Sequence, residues 1–295
     1  VQTDPNSPEQ FDFQYYRLMS LVKQNKRSAE TEVTNYLAQV TNSPWNSQLW
    51  FEMAKLQYQN RKFAIAARTF DKVDASNLKG RDLEDFRFFK GYSNFEAGNT
   101  DKAKQAFFEI KSTQSMYART AGYYWGYMNY TEGNYETALA EFAKIDKDPQ
   151  FANFIPYYTS QIYYLQGRYE QVIEMVTNLL PGAPADQKNE LNKIMGDSYF
   201  QLGSYAQAVK YLEAYNGLNG KKTREDFFRV AYCYYYVQQY TQAIPSFEKA
   251  AAGKDLLAQT SYYHLADSYV KTNDKNKAKY AFERASQFNF DPQIE

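Results

Sequence analysis

The chain contains one cysteine and one histidine, and these are the residues whose types could do nucleophilic or acid–base chemistry. Cys233 and His264 are 31 residues apart, and two such side chains are too few for a zinc site of cysteine and histidine ligands. A cysteine–histidine nucleophile pair stays formally open. Cys233, however, occupies a helix position that other segments give to serine, and a free cysteine is commonly a small buried hydrophobe. We therefore expect both residues to be structural.

The segment Gly217–Thr223 contains the residue types of a phosphate-binding loop but not their spacing. That loop requires a glycine five residues before its Gly-Lys pair, where this chain has Tyr215, and Ser or Thr after the lysine, where it has Lys222. The carboxylates are spread along the chain, as is usual for solvated helix faces. We expect no catalytic site, no metal site and no cofactor, so the chain is not predicted to be an enzyme.

Composition excludes several other classes of function. Lys and Arg total 34, as do Asp and Glu, and no basic stripe of the kind that binds nucleic acid is present. No segment reaches 18 consecutive apolar residues, so no transmembrane segment is predicted. A single cysteine also excludes an internal disulfide.

A repeat of about 35 residues runs along nearly the whole chain. Its anchors are Ala66, Ala103, Ala138, Val172, Ala208, Ala243 and Ala278. Twelve residues before each anchor stands a small residue, namely Ala54, Gly91, Gly126, Ser160, Gly196, Ala231 or Ala266. Four residues after it stand Phe70, Phe107, Phe142, Val176, Leu212, Phe247 and Phe282, on the same helix face as the anchor. A period in this range predicts a stacked helical array.

Each unit of the repeat is predicted to be a helix, a tight turn and a second helix. Five residues before the anchor, Gly98, Gly133, Gly167 and Gly203 can adopt the left-handed conformation that ends a helix. The other units have Arg61, Gln238 and Asn273 there, of which only asparagine tolerates that conformation well. The second helix is expected to begin three residues before the anchor. That position holds Phe63, Tyr135, Tyr169, Tyr205 and Tyr240, while Thr100 and Lys275 depart from the aromatic pattern.

The segments 133–142, Gly-Asn-Tyr-Glu-Thr-Ala-Leu-Ala-Glu-Phe, and 203–212, Gly-Ser-Tyr-Ala-Gln-Ala-Val-Lys-Tyr-Leu, closely resemble the tetratricopeptide repeat (TPR) family. The resemblance implies an all-α, right-handed superhelical solenoid of antiparallel helix pairs. We expect a single solenoid over 1–295, with a degenerate unit at 9–44 and repeats near 47–80, 84–117, 119–151, 153–186, 189–222, 224–257 and 259–292. The degenerate unit would have helices near 9–25 and 28–41, the first capped by Ser7-Pro8-Glu9-Gln10.

Two inter-element segments complete this organisation. The stretch Asn216–Lys222 is expected to be the loosest connection between repeats, and Thr223 with Asp226 is expected to cap the helix after it. A solenoid needs a polar cap over its last apolar face, so we expect the natural protein to continue past Glu295.

A narrower resemblance rests on the run Tyr163–Glu174 and the closing Phe288–Pro292. These segments are similar to the N-terminal repeats of large exported TPR proteins of Gram-negative bacteria. That resemblance implies a periplasmic or cell-envelope location, with a cytoplasmic one left open.

In the TPR family the first helices of successive units line a concave groove, and three rows of residues are expected to face it. Fifteen before the anchors stand Phe51, Phe88, Tyr123, Tyr157, Lys193, Phe228 and Tyr263. Eleven before stand Lys55, Tyr92, Tyr127, Gln161, Asp197, Tyr232 and Asp267. Eight before stand Tyr58, Phe95, Tyr130, Tyr164, Phe200, Tyr235 and Val270, where packing is the ordinary role of an aromatic.

The predicted function is a non-catalytic scaffold that binds a protein or peptide segment in this aromatic groove. The candidate binding residues are Phe51, Lys55, Phe88, Tyr92, Tyr123, Tyr127, Tyr157, Phe228, Tyr232 and Tyr263. Family members that hold a carboxylate terminus use lysine and asparagine on these rows; only Lys55 and Lys193 are basic here, so that mode is not expected. Two alternatives stay open: a groove for carbohydrate or peptidoglycan, and a structural spacer within a longer chain.

Overall fold

The computed structural model describes residues 8–41, 43–217 and 222–294. These ranges contain sixteen α-helices and no strand, which confirms the all-α prediction of a helical repeat solenoid. The chain divides into two compact units, Val1–Ile145 and Asp146–Glu295. None of the described helices is long and apolar enough to cross a bilayer.

The first unit contains four helix pairs. Its helices are α1 (Pro8–Lys23), α2 (Ala29–Gln39), α3 (Asn46–Gln59), α4 (Phe63–Phe70), α5 (Gly80–Glu96), α6 (Thr100–Lys111), α7 (Ala118–Thr131) and α8 (Tyr135–Phe142). The pair α1–α2 lies where the sequence predicts a degenerate repeat, and the proposed cap residue Ser7 lies outside the described residues. A short 3₁₀ turn, Ala75–Asn77, precedes α5.

The second unit contains four further pairs. Its helices are α9 (Ile155–Leu165), α10 (Tyr169–Leu179), α11 (Ala185–Gln201), α12 (Tyr205–Gly217), α13 (Arg224–Tyr236), α14 (Tyr240–Ala250), α15 (Leu256–Lys271) and α16 (Lys275–Ser286). Turns of 3₁₀ helix follow α10 at Leu180–Gly182 and α16 at Pro292–Ile294. All seven regular second helices begin at the position predicted, including the two at Thr100 and Lys275.

Seven helix pairs turn through the same backbone conformation. The residue five before each anchor has a positive φ, 76° at Gly98, 80° at Gly133, 71° at Gly167, 71° at Gly203, 57° at Arg61, 61° at Gln238 and 63° at Asn273. The amide of the next residue donates to the carbonyl five positions earlier, as in Asn99 to Asn94 and Gln239 to Tyr234, both at 2.8 Å. This is the bond that closes a Schellman motif, so the turn forms even where glycine is absent.

The core of each unit follows the predicted rows. Every anchor and every small residue twelve before it is buried. A Cβ added at Gly126 would lie 2.8 Å from Phe142 Cε1, and one at Gly196 would lie 2.7 Å from Leu212, so these glycines permit close helix contact. The row four after the anchor is also buried, except for Phe282, which is 39% exposed. Phe282 differs because no further helix pair follows α16 in the described residues.

The connection between α12 and α13 is shorter than predicted. Asn216 and Gly217, which were expected in the connection, form the last residues of helix α12. Residues 218–221 lie outside the described residues. The predicted cap of α13 is confirmed as a capping box. The Thr223 side chain accepts from the Asp226 amide at 3.2 Å, and Asp226 Oδ2 accepts from the Thr223 amide at 2.8 Å.

Candidate functional site

The two residues with catalytic potential both lie in the second unit, and His264 is half-buried. Cys233 is fully buried, and burial raises the pKa of its thiol to about 12, so the thiol stays protonated. His264 stacks on Phe247 at 5.7 Å and meets Tyr235 edge-on at 4.9 Å. Burial lowers the pKa of His264 to about 4, against the opposing effect of Asp267. Neither environment activates a nucleophile or a general base. Over the described part of the chain, no three His, Cys, Asp or Glu side chains gather in a metal-binding arrangement.

Two of the predicted groove residues lie in the core of the first unit. Phe51 is fully buried, and Phe88 is 5% exposed. The Phe88 ring stacks on Tyr117 at 4.4 Å and 5°, and Phe51 packs edge-on against Phe86 at 6.3 Å. Because these neighbours cover the rings, Phe51 and Phe88 belong to the packed interior and offer no open surface to a partner.

Lys55, another predicted groove residue, lies among carboxylates of the first unit. Its ammonium lies 3.8 Å from Glu52, 3.9 Å from Asp82 and 3.8 Å from Asp85. It also lies 4.8 Å from the centre of the Phe51 ring. The Lys55 cation is therefore occupied by neighbouring carboxylates.

The remaining candidates of the first unit, Tyr92, Tyr123 and Tyr127, are half-buried. Tyr92 contacts Tyr58 of the preceding first helix at 5.7 Å and Tyr124 of the following one at 5.2 Å. Tyr127 lies 6.5 Å from Tyr123 and 6.2 Å from Phe95. These ring contacts join α3, α5 and α7 into one continuous aromatic surface, which we call the first-unit face.

In the second unit the remaining candidates lie on the first helices α9, α13 and α15. Tyr157, Phe228 and Tyr232 are half-buried, and Tyr263 is 39% exposed. Tyr232 contacts Phe228 at 5.5 Å, and its hydroxyl lies 3.0 Å from that of Tyr236. We call the surface formed by these side chains, together with Leu165, Tyr236 and Val270, the second-unit face.

The second-unit face includes exposed apolar residues that the three predicted rows do not contain. Seven residues before their anchors, Leu165 is 53% exposed and Tyr236 is 50% exposed. Val270, which the eight-before row does contain, is also 50% exposed. At the seven-before position the first unit has Gln59, Glu96 and Thr131. The second unit also has Gln201 and Lys271 there, so the residue types at this fourth position single out only Leu165 and Tyr236.

Buried acids on the second-unit face form a network that sequence reasoning missed. Asp197 is 2% exposed, and it accepts from Lys193 Nζ and from the Tyr164 hydroxyl, each at 2.9 Å. Asp226 is 4% exposed and accepts from the Tyr215 hydroxyl at 3.1 Å. Arg229 lies 3.6 Å from Asp197 and 3.5 Å from Asp226. The i, i+4 spacing of Lys193 and Asp197 was the available signal. These charges are paired within the unit, although the buried Oδ1 of Asp197 accepts no hydrogen bond from the described residues and has only Arg229 at 3.6 Å.

Comparison with known proteins supports the fold assignment. The tetratricopeptide repeat family pattern matches residues 194–222 and 259–292, which fall on α11–α12 and α15–α16. No protein of curated function matches the sequence significantly.

Three solved structures illustrate the structural similarity. The C-terminal part of a TPR repeat-containing protein from Cytophaga hutchinsonii is 17% identical with a TM-score of 0.56, covering 83% of this chain and 97% of that one. YrrB, a TPR protein with an unusual peptide-binding site, is 18% identical with a TM-score of 0.54, covering 65% of this chain and 96% of that one. A signal-transduction ATPase with a TPR sensor from Pyrococcus horikoshii is 18% identical with a TM-score of 0.52, covering 96% of this chain and 50% of that one.

At this level of identity the similarity concerns the fold alone. The family pattern, however, falls on two of the helix pairs, and the other pairs repeat their turn and their buried rows. The family pattern and the structural neighbours together support assignment of the chain to the tetratricopeptide repeat family.

Proposed function

We propose that this chain is a non-catalytic scaffold that binds a protein segment against the aromatic faces of its first helices. The observation that carries the proposal is a cluster of rings at the second-unit face, where the half-exposed Tyr236 lies 4.6 Å from Tyr232 and 4.7 Å from Tyr205. Clustered apolar surface of this kind is typical of interaction sites.

The chemistry of the two faces suits a peptide better than a small reactive molecule. Tyrosine buries a large ring with few rotatable bonds and keeps a hydroxyl for hydrogen bonds. The exposed side chains of Tyr236 and Tyr263 therefore offer apolar area and polar contacts together. YrrB has a peptide-binding site on the same fold, but a likeness of 18% identity carries no further weight, so the proposal rests on this surface.

The proposal is tested by photo-crosslinking at matched positions. A benzophenone amino acid replaces Tyr236 on the second-unit face in one variant and Tyr280 on α16 in another; Tyr280 is 61% exposed and lies on a second helix. Both variants are irradiated in native cell extract and the adducts are identified by mass spectrometry. We expect a discrete protein adduct at position 236 that excess unmodified chain competes away, and none at 280.

Equal labelling at the two positions would contradict binding at the second-unit face. An absence of protein adducts at 236, and at an equivalent probe replacing Tyr127 on the first-unit face, would favour the spacer interpretation. The cell-envelope location stays a prediction, and fractionation of the source cells followed by immunodetection of the chain tests it.

A further inference from the structure

A cavity of about 430 Å³ lies at the last helix pair of the second unit, between the α14–α15 connection and the end of α16. The described residues that line it are Lys254, Arg284, Gln287, Phe288, Asn289 and Phe290. Two of these side chains are cations, two are amides and two are aromatic rings, and none of the six is acidic. This lining is suited to a negatively charged ligand that also has an apolar part.

The two cations of the cavity have no carboxylate partner among the described residues. No Asp or Glu oxygen of those residues lies within 4.0 Å of Lys254 Nζ or of the Arg284 guanidinium. The half-buried Arg284 donates from Nη1 to Gln287 Oε1 at 2.8 Å, and its buried Nε has no acceptor in the part of the chain that the structure describes. The cavity therefore has two positive charges beside it and a guanidinium whose donors are only partly used.

Three acidic residues adjoin the lining residues in the sequence, and each makes another contact. The Asp255 carboxylate accepts from Arg224 Nη1 at 2.6 Å and from Nη2 at 2.9 Å. Glu283 lies 3.8 Å from Lys279 Nζ, and Asp291 Oδ1 accepts from a backbone amide at 2.9 Å. Of these three acids Asp291 alone has no cation partner among the described residues, so an excess of one positive charge remains at the cavity.

The aromatic wall of the cavity is fixed by the buried side chain of Gln259. Its Nε2 donates to the carbonyl oxygens of Phe288 at 3.2 Å and Asp291 at 3.1 Å. Its Oε1 accepts from the amides of Phe290 at 3.1 Å and Asp291 at 2.8 Å. Phe288 also stacks on Tyr262, with ring centres 6.4 Å apart. Because the wall is already ordered, a ligand would bind with little loss of conformational freedom.

Other repeats have a cation at the position of Arg284, and they separate packing from binding. Lys72 and Lys249 stand there, and each ammonium lies over an aromatic ring, 4.1 and 4.8 Å from its centre. The Arg284 guanidinium lies over a ring in the same way, at 5.5 Å. Contact with a ring is therefore a packing feature of this position and does not itself indicate a ligand. The distinguishing feature of Arg284 is the cavity that it shares with Lys254.

We propose that this cavity binds a small organic oxyanion, a carboxylate or a phosphate on a flat apolar body. The oxyanion lies between Lys254 and Arg284, and the apolar body packs against Phe288 and Phe290. Ammonium and guanidinium groups bind carboxylates and phosphates through charge-assisted hydrogen bonds, and aromatic rings contribute apolar contact area. The site goes beyond the proposed protein-binding function and uses none of the side chains of the second-unit face.

The test uses three probes of one shape, namely para-fluorobenzoate, para-fluorophenyl phosphate and the neutral para-fluorobenzamide. Each is titrated into the whole chain, and binding is followed by the broadening of its fluorine resonance. The protein variants are Lys254→Gln and Arg284→Gln. The matched control is Lys249→Gln, which removes the cation at the repeat position of Arg284 from the preceding helix pair.

We expect the two anions to bind to the wild-type chain and the neutral amide not to bind. Lys254→Gln and Arg284→Gln should each weaken anion binding about tenfold, and Lys249→Gln should bind as the wild type does. Lys254 is exposed, so its substitution should leave the circular dichroism and the unfolding midpoint unchanged. The order of the two anion affinities shows whether a phosphate or a carboxylate is preferred.

Three results overturn the inference. Equal binding of the neutral amide and the anions would refute recognition of an oxyanion. A loss of anion binding in Lys249→Gln as large as in Lys254→Gln would show a general attraction to positive surface. Failure of both anions to bind would refute the site and leave the proposed function standing, because that function rests on the second-unit face.

Discussion

The hydroxyl of Tyr235 donates a hydrogen bond of 2.7 Å to Oδ2 of Asp267, which lies on the first helix of the next repeat. Tyr164 donates the equivalent bond to Asp197 Oδ2 at 2.9 Å. The two tyrosines occupy the same position of the repeat, and so do the two aspartates. Burial, followed by the bond to Asp267, raises the pKa of Tyr235. Within the second unit, neighbouring repeats are thus joined by a hydrogen bond to a carboxylate as well as by apolar packing.

Removing this hydroxyl should weaken the contact between two repeats. Tyr235→Phe and Tyr164→Phe are each expected to lower the free energy of unfolding by about 1–2 kcal/mol, since the ring is kept and a charge-assisted bond is lost. Urea unfolding followed by circular dichroism measures the change. Tyr280→Phe on α16 is the control; an equal effect in the control would show that the bond contributes nothing.

Two glycines of α7 should respond in opposite directions to the same substitution. A Cβ at Gly126 would lie 2.8 Å from a ring carbon of buried Phe142, whereas the nearest atom to a Cβ at Gly122 is 4.0 Å away. Gly126→Ala is expected to destabilise by about 1–3 kcal/mol through overpacking. Gly122→Ala is expected to stabilise by up to about 1 kcal/mol, because alanine favours the helix. Thermal unfolding of the two variants measures both changes. Stabilisation by both substitutions would show that helix propensity, and not packing against Phe142, determines the effect.

Gln238 adopts a left-handed conformation with φ of 61° and should therefore be improved by glycine. Gln238→Gly is expected to stabilise by up to about 1 kcal/mol, because glycine carries no Cβ penalty there. Asn273, with φ of 63°, is the comparison, and Asn273→Gly should change stability less since asparagine tolerates that region. Urea midpoints of the two variants measure the difference; a larger gain at Asn273 would contradict the conformational argument.

His264 should make the stability of the fold depend on acidity. Its folded-state pKa is lowered to about 4 by burial, below the ordinary value of 6.5, so the folded chain favours the neutral ring. The resulting stability is fully present above pH 6.5 and is lost as the pH falls towards 4, by about 3 kcal/mol at most. The buried Nδ1 has no hydrogen-bond partner in the structure, so protonation is not compensated there.

His264→Gln removes this titration and keeps a polar side chain. The difference in unfolding free energy between the wild type and the variant, measured from about pH 7.5 to about pH 4.5, should shift in favour of the variant as the pH falls. A constant difference across that range would mean that His264 has the same pKa in the folded and the unfolded chain.

The sequence alone determined the helix pairs, because small residues, anchors and turn residues recur in one register and each requires only local geometry. Even Arg61 and Gln238 turn as glycine does, since the hydrogen bonds of the turn compensate for the conformation. Tertiary structure decided which aromatics stay open. Phe51, Phe88 and Tyr263 share one repeat position, yet Phe86 and Tyr117 cover the first two while Tyr263 is 39% exposed. A side chain's exposure depends on residues of neighbouring helices, which its own repeat position does not encode.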